Sequence, residues 1–298
     1  MKIAFFGLPL AAVLLALDGH TIVYAAACAP GPGLRRLGRR IAPGRTDLKP
    51  DAMTPATLER VRQANPDLIV SWFWTTKLPT SMLALAPAVG VHPSLLPRHR
   101  GPDPYFWAID AGDECTGVSA HLLDTDYDTG ALLAQRELRV DPAWNAWQLA
   151  RALDRPSLAL LRDVVRGVAA GRLPEPQQQD ERAATQAPEP TDEDLAIRWT
   201  WTSSAVHRRV RAAAPWPGAW TEIHDRIVTL VGVRPTRDFA RVLEPGEAMV
   251  RADGLAVVRT ADGAVELLEG RDEADRPMSW AELAALVRGG QGRTFRGR

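Results

Sequence analysis

Cysteine is nearly missing from this chain. Only Cys28 and Cys115 occur in 298 residues, and no CxxC pair exists. Structural zinc and dithiol redox chemistry therefore have no support, no metal ligands are assigned, and a reducing, cytoplasmic setting is expected. Net charge is missing as well. Lysine plus arginine and aspartate plus glutamate each number 36, and arginine supplies nearly all the cations. Whole-chain charge thus singles out neither nucleic acid nor membrane. No apolar run is long enough to span a bilayer. The run from Ile3 to Leu17, followed by Ala25-Ala26-Ala27-Cys28, has the look of a secretory leader. Gly7 and Pro9 interrupt it where a strand-to-helix turn would sit, so strand, turn and buried helix is the preferred reading. Gly7 is followed by no glycine before Gly19, so the GxGxxG of a dinucleotide site is absent too.

What is present suits two soluble domains. The length admits two cores, and 46% hydrophobic with 24% charged residues is an ordinary globular balance. Ile3–Gly7, Pro9–Leu17 and Thr21–Ala25 read as the β-turn-α-β start of a doubly wound sheet. The stretch 29–50, rich in Pro, Gly and Arg, has no period and reads as a long basic loop. It is either solvated or a phosphate clamp. Thr54 and Pro55 start a helix that Asn65-Pro66 ends. Asp67–Trp72 is a buried parallel strand. Trp72 and Trp74 at its end either wall a pocket for a flat heterocycle or pack in the core.

The most informative stretch is VHPSLLPRHR, 91–100, with its sequel TGVSAHLLDTDYDTGALL, 116–133. Val89–His92 reads as a strand whose C-terminal end presents His92, the edge where open α/β sheets hold ligands. Pro93 and Pro97 stiffen the following loop. Thr116–Leu123 and Leu132–Val140 are further strands, with Asp128 on the bend between them. A carboxylate there can orient a histidine or accept a proton, although alone it is equally a turn residue.

A long helix follows, over 144–168. Residues 171–191, rich in Pro, Gln and Glu, read as a linker. Ser203–Ala213 is helical. Short strands punctuated by Asp253-Gly254 and Asp262-Gly263 then suggest a small open barrel of the OB type. Trp216 and Trp220 read as its core. Arginines outnumber acids over 198–241, but lysines and stacking aromatics are sparse there. Ser279–Val287 is a last helix and Gly289–Arg298 a basic tail. The domain expectation is 1–173, a linker over 174–190, and 191–298.

HPSLLPRHRG and TGVSAHLLDTDYDTGALLAQ together resemble the folate-dependent formyltransferases. The likeness extends to Ile3–Gly7, to Asn65–Val70, to Trp107-Ala108-Ile109 with Gly112, and to Ala214–Trp220. It implies a Rossmann-like formyltransferase domain followed by an OB-like barrel, with formyltetrahydrofolate as one-carbon donor. It implies His92 and Asp128 as catalytic residues, His92 polarising the formyl oxygen and Asp128 holding it. It places the pterin on Trp74, Thr75, Lys77 and Leu78 and on Asp124, Thr125, Asp126 and Tyr127. Arg35, Arg39, Arg98 and Arg100 are candidates for holding the acceptor.

One position departs from the family. Its catalytic asparagine, two residues before the histidine, is here Gly90. A missing oxyanion donor typically costs about a hundredfold to a thousandfold in turnover. Gly90 backbone, Ser119 or His121 are candidate replacements, and Gly90→Asn is expected to raise transfer or leave it unchanged. The leading expectation is formyl transfer to an amine of a small molecule, such as an amino sugar or specialised metabolite. The alternatives are transfer to methionyl-tRNA, and a folate-binding relative with altered one-carbon chemistry or none.

Overall fold

A computed structural model describes residues 1–30, 32–172, 175–224 and 226–289. Apart from Gly289, the expected basic tail lies outside the described residues, as do residues 173 and 174 of the expected linker. The chain divides into two compact units. One comprises Met1–Pro104, Cys115–Arg139 and Ala152–Pro188; the other comprises Tyr105–Glu114, Val140–Arg151 and Glu189–Arg298.

In order, the first unit contains β1 (Lys2–Gly7), α1 (Pro9–Leu17), β2 (Thr21–Ala27), α2 (Pro32–Gly38), β3 (Thr46–Leu48), α3 (Pro55–Ala64), β4 (Leu68–Trp72), α4 (Thr80–Leu83) and β5 (Ala88–His92). After α5 (Pro104–Ala111) come β6 (Cys115–Leu122), β7 (Leu132–Arg139) and the long α6 (Ala146–Ala169). Seven strands form one sheet in the order β3-β2-β1-β4-β5-β6-β7. The first five run parallel, while β6 and β7 are antiparallel additions. This is the expected Rossmann-like sheet. β1, β2 and β5 are buried almost throughout because apolar side chains cover both faces. Gly7 ends β1 at φ +139°, and a Cβ there would lie 1.8 Å from the Trp72 carbonyl oxygen. Only glycine allows β1 and β4 to stay paired through that turn.

The stretch 29–50 is not one long loop. Its Pro, Gly and Arg residues hide the short α2 and the edge strand β3, which pairs with β2 through Ala25–Ala27. Both elements are too short to show a period. α3 forms as expected: the Thr54 hydroxyl accepts the Thr57 N–H, and Asn65 closes the helix in the left-handed region at φ +46°. Trp72 packs rather than walling a pocket. It is buried, and its indole N–H donates to the Ser157 hydroxyl at 2.7 Å.

The second unit adds α7 (Asp192–Leu195), α8 (Ser203–Ala213), β8 (Ala219–Ile223), β9 (Arg226–Thr236), β10 (Ala248–Val250), β11 (Ala256–Arg259), β12 (Ala264–Arg271), β13 (Pro277–Ser279) and α9 (Trp280–Arg288). Its antiparallel sheet runs β10-β11-β12-β9-β8, with β13 also on β12. Register shifts between Leu267 and Gly270 let β12 bend along β9, so the sheet curls into a half-barrel. Trp216 is 66% exposed under Arg271, not core. Trp220 is half-buried and donates its indole N–H to the Asp192 carbonyl. Among the described residues, no helix is long and apolar enough to cross a membrane.

Candidate active site

The antiparallel register of β5 and β6 builds the site. Gly90 pairs with His121, and His92 pairs with Ser119. Directly opposed residues, and residues two apart, share one face of a sheet. His92, the bare backbone of Gly90, Ser119 and His121 therefore lie on the same side. Asp128 approaches from the bend between β6 and β7, held at φ +57°. Its Oδ2 accepts the Gly101 N–H at 3.0 Å and lies 3.3 Å from His92 Nδ1. Its Oδ1 lies 3.5 Å from His121 Nε2. The carboxylate thus stands between two buried imidazoles.

Burial pushes the Asp128 carboxyl up, but His92, His121 and the Gly101 N–H together outweigh it and hold it down at about 2. For His92, burial dominates and pushes it below the ordinary histidine value, against the pull of Asp128 and the His99 carbonyl. His92 Nε2 lies 2.8 Å from the His99 carbonyl oxygen, which can only accept. The ring proton is therefore used at Nε2, and Nδ1 keeps its lone pair beside Asp128. With Nε2 on the His99 carbonyl and Nδ1 beside Asp128, His92 is placed to exchange a proton at Nδ1. His121 Nδ1 likewise lies 2.8 Å from the Leu122 carbonyl.

The loop after His92 is fastened at several points. The Ser119 hydroxyl donates to the Ser94 carbonyl at 2.6 Å and accepts the Leu96 N–H at 2.9 Å. Gln135 reaches both Leu96 and Ser119. Ser119 is fully buried and committed to bracing this loop, so it is no oxyanion donor. Gly90 is paired on both sides, to Ser71 and to His121, so its backbone belongs to the sheet. Of the three candidate replacements, His121 alone lies against Asp128.

Arg100 is also spent inside the protein. It is 3% exposed, and its guanidinium donates to Gln179 and Glu181 at 2.8–3.1 Å. Four of its five N–H donors are thus used within the protein, which holds it in place rather than presenting it to an acceptor substrate. Gln179 in turn donates to the carbonyls of Asp128 at 2.8 Å and Gly130 at 2.7 Å. One side chain from the Pro/Gln-rich stretch therefore ties the Arg100 loop to the Asp128 turn. Sequence reading missed it, because nothing in QQQ distinguishes a buried glutamine from a solvated one. The stretch also lies along this unit in extended form, with Gln177 bridging Leu132 and Gln186 bridging Arg100. Arg35, Arg39 and Arg98 are exposed, the first two beside exposed Arg36 and Arg40.

The two loops expected to hold a pterin meet. Lys77 Nζ lies 2.9 Å from Asp126 Oδ1 and 4.9 Å from the centre of the Tyr127 ring. Leu78 is buried in the cluster of Phe6, Tyr24 and Met82, and Trp74 packs against it. The Trp74 ring meets Phe6 edge-on at 5.5 Å, and its indole N–H is buried without a partner. A buried unpaired donor is costly, and a flat, hydrogen-bond-accepting heterocycle against Trp74 would satisfy it. Thr75, Asp124 and Thr125 are exposed on the same loops, Asp124 accepting the Thr125 N–H. The residues present thus fit a reduced folate.

Both halves of the chain match known proteins. The formyl transferase family matches residues 40–165, and the formyl transferase C-terminal domain matches residues 190–288. A methionyl-tRNA formyltransferase of Anaeromyxobacter dehalogenans is 36% identical over 293 residues, covering 91% of this chain and 93% of its own. One of Chloroflexus aurantiacus is 33% identical, covering 96% and 97%. Among solved structures, HypX from Aquifex aeolicus in complex with tetrahydrofolic acid matches all of this chain with 51% of its own, at TM-score 0.66 and 20% identity. The N-formyltransferase from Helicobacter canadensis, in complex with folinic acid and dTDP-3-aminofucose, matches 90% of this chain with 98% of its own, at TM-score 0.66 and 15% identity. With both halves of the chain matched, and the His92–Asp128 pair lying inside the first match, this protein belongs to the formyl transferase family, whose one-carbon donor is formyltetrahydrofolate.

Proposed function

We propose that this chain transfers a formyl group to the primary amine of a small molecule, with His92 and Asp128 as the proton-handling pair. The observation that supports this most directly is the ionised Asp128 carboxylate 3.3 Å from His92 Nδ1 at the end of β5. Formyltetrahydrofolate supplies the electrophilic formyl carbon when bound. An attacking ammonium must lose protons, and a buried base within reach takes one directly. His92 Nδ1 accepts that proton, Asp128 stabilises the imidazolium that results, and the proton would then pass to the folate nitrogen as its bond to the formyl carbon breaks and the amine–formyl bond is made. His99, through its carbonyl, keeps the ring from turning. Trp74 and Leu78 form the apolar wall, and Lys77, Asp124, Thr125, Asp126 and Tyr127 form the rim for the reduced folate.

A second reading has its own support. The relatives named methionyl-tRNA formyltransferase align along more than nine-tenths of the chain, and Arg35, Arg36, Arg39 and Arg40 form an exposed basic cluster around α2. Against it stands the near absence of lysine, with Lys2, Lys49 and Lys77 the only three. The test supplies purified protein and formyltetrahydrofolate with amino sugars in one assay and methionyl-tRNA in another, and products are read by mass spectrometry. Formylated amino sugar supports the first reading. Formylated methionyl-tRNA alone replaces it with the second. Folate binding without transfer to either leaves only a folate-binding relative.

A further inference from the structure

Residues 177–187 run beside the loop that follows β5, and main-chain bonds lace the two segments together. The Thr185 N–H donates to the Pro97 carbonyl at 3.2 Å, and the Arg100 N–H donates to the Thr185 carbonyl at 2.9 Å. The Ala187 N–H donates to the Arg100 carbonyl at 2.6 Å, and the Asp103 N–H to the Ala187 carbonyl at 3.0 Å. Both segments belong to the first unit. Gly101 lets them come this close. It sits at φ +121°, and a Cβ there would lie 2.8 Å from the Ala187 carbonyl oxygen. A side chain would therefore push the two segments apart.

Thr185 does more than continue this lacing. His99 turns in the left-handed region at φ +59°, a conformation that a non-glycine residue keeps only when its surroundings hold it. The peptide before His99 donates its N–H to the Thr185 hydroxyl oxygen at 2.8 Å. The peptide after His99 presents its carbonyl to His92 Nε2 at 2.8 Å, and the N–H of that same peptide goes to the Thr185 carbonyl. One residue thus grips both peptides that aim the carbonyl at His92.

We propose that Thr185 is a positioning residue of the site: its hydroxyl fixes the His99 turn, and the carbonyl so aimed holds the His92 ring with Nδ1 toward Asp128. This inference rests on the formyl-transfer reading above and adds to it a residue that acts on His92 through His99. The groups that face His92 are Asp128 from the bend after β6, His121 from β6, and His99 from its own loop. Asp128 and the His99 carbonyl favour the charged ring, whereas burial and the other two imidazoles disfavour it. A weakened carbonyl contact therefore makes His92 give up its proton at lower pH.

The main-chain bonds of Thr185 do not depend on its side chain, so the hydroxyl can be removed alone. The experiment compares the full-length native protein with Thr185→Val, Thr185→Ala, Thr185→Ser and Gln178→Ala. The acceptor is amino sugar or methionyl-tRNA, whichever the assay above finds formylated, and release of tetrahydrofolate is followed. Thr185→Val is expected to lower kcat on the order of tenfold, with KM for formyltetrahydrofolate little changed. The acid limb of its kcat/KM profile, which reports the base of the free enzyme, is expected to move to lower pH. Thr185→Ala removes the hydroxyl with less bulk and is expected to act alike. Thr185→Ser keeps the hydroxyl and is expected to restore native rate and profile. Gln178, exposed on the same segment, is expected to tolerate alanine without effect. Native kcat in Thr185→Val and Thr185→Ala, an equal loss in Thr185→Ser, or a loss with the acid limb unmoved overturns the proposal. A second readout needs no turnover. In nitrogen NMR of the histidine rings, Thr185→Val is expected to shift the His92 Nε2 signal and Thr185→Ser to leave it in place. A His92 signal indifferent to Thr185→Val overturns the coupling itself. A native protein that neither binds nor turns over formyltetrahydrofolate, yet shows this shift, sinks the formyl-transfer reading and leaves the coupling of Thr185 to His92 standing.

Discussion

Each unit of this chain holds a carboxylate between two nitrogen-bearing side chains, and those side chains differ. In the second unit Glu266 is 4% exposed. Arg234 holds its Oε2 at 2.6 Å and Arg251 its Oε1 at 2.9 Å. Arginine does not release its proton at any physiological pH. The contacts are short and the charges permanent, so the cluster pins β12 to β9 and to the turn after β10. In the first unit Asp128 stands between His92 and His121 at 3.3 and 3.5 Å. Those contacts are longer than a well-formed charged hydrogen bond, and imidazole gains and loses protons near neutrality. The same carboxylate motif is structural with one set of partners and chemical with the other.

The sharpest way to break this comparison is to neutralise each carboxylate without changing its shape. Asp128→Asn is expected to lower turnover by about a thousandfold or more, while the thermal midpoint falls only by the several degrees that about 2 kcal/mol represents. Steady-state kinetics and thermal denaturation check both halves. Gln179→Ala comes next. It removes the tie between the Arg100 loop and the Asp128 turn, and a misplaced Asp128 should cost on the order of tenfold to a hundredfold in kcat, with a smaller effect on KM. Glu266→Gln, by contrast with Asp128→Asn, should leave the chemistry untouched. Urea denaturation should show a loss of about 2 kcal/mol, moderated because Arg234 is largely exposed, with kcat of the folded protein unchanged.

Acid separates the two clusters further. The folded-state value of Asp128 lies below its ordinary one, so the unfolded chain binds the proton more readily. The stability drawn from Asp128 is therefore full above about pH 4 and is lost as pH falls toward about 2. It amounts to about 2 kcal/mol, read as the gap between native and Asp128→Asn unfolding curves, wide at pH 5 and narrowing at pH 2. His92 is also depressed, so its burial favours the neutral ring and stability falls as pH drops below the ordinary histidine value of about 6.5. The smallest effect is expected at Lys77, whose contact with Asp126 is well exposed on both sides. Lys77→Ala should change unfolding free energy by less than about 1 kcal/mol, although Asp126 stands two residues from Asp128.

The fold was legible where apolar runs were long enough to declare themselves. β4 and β5 follow from Asp67–Trp72 and Val89–His92, and the strand end bearing His92 follows from the proline-bounded loop after it. α2 and β3 were not legible, since a helix of seven residues and a strand of three leave no period among so many Pro, Gly and Arg residues. Trp216 looked like core because it is large and apolar, yet Arg271 covers it at the surface. The site was legible in its charged residues and not in its register. That Ser119 braces a loop, that Arg100 is bound by Gln179 and Glu181, and that His121 lies over Gly90 all depend on which residues face each other across strands. A single sequence states composition along one strand and is silent about its neighbour.

The central claim is that Asp128, held ionised between His92 and His121, serves formyl transfer. The most direct test follows the release of tetrahydrofolate from formyltetrahydrofolate by chromatography, with native protein and with Asp128→Asn, in the presence of candidate amines. Calorimetry of folate binding runs in parallel. The account predicts that both proteins bind the folate with similar affinity and that only the native protein releases tetrahydrofolate in an amine-dependent way. Equal release by Asp128→Asn, or no folate binding by either protein, would contradict it.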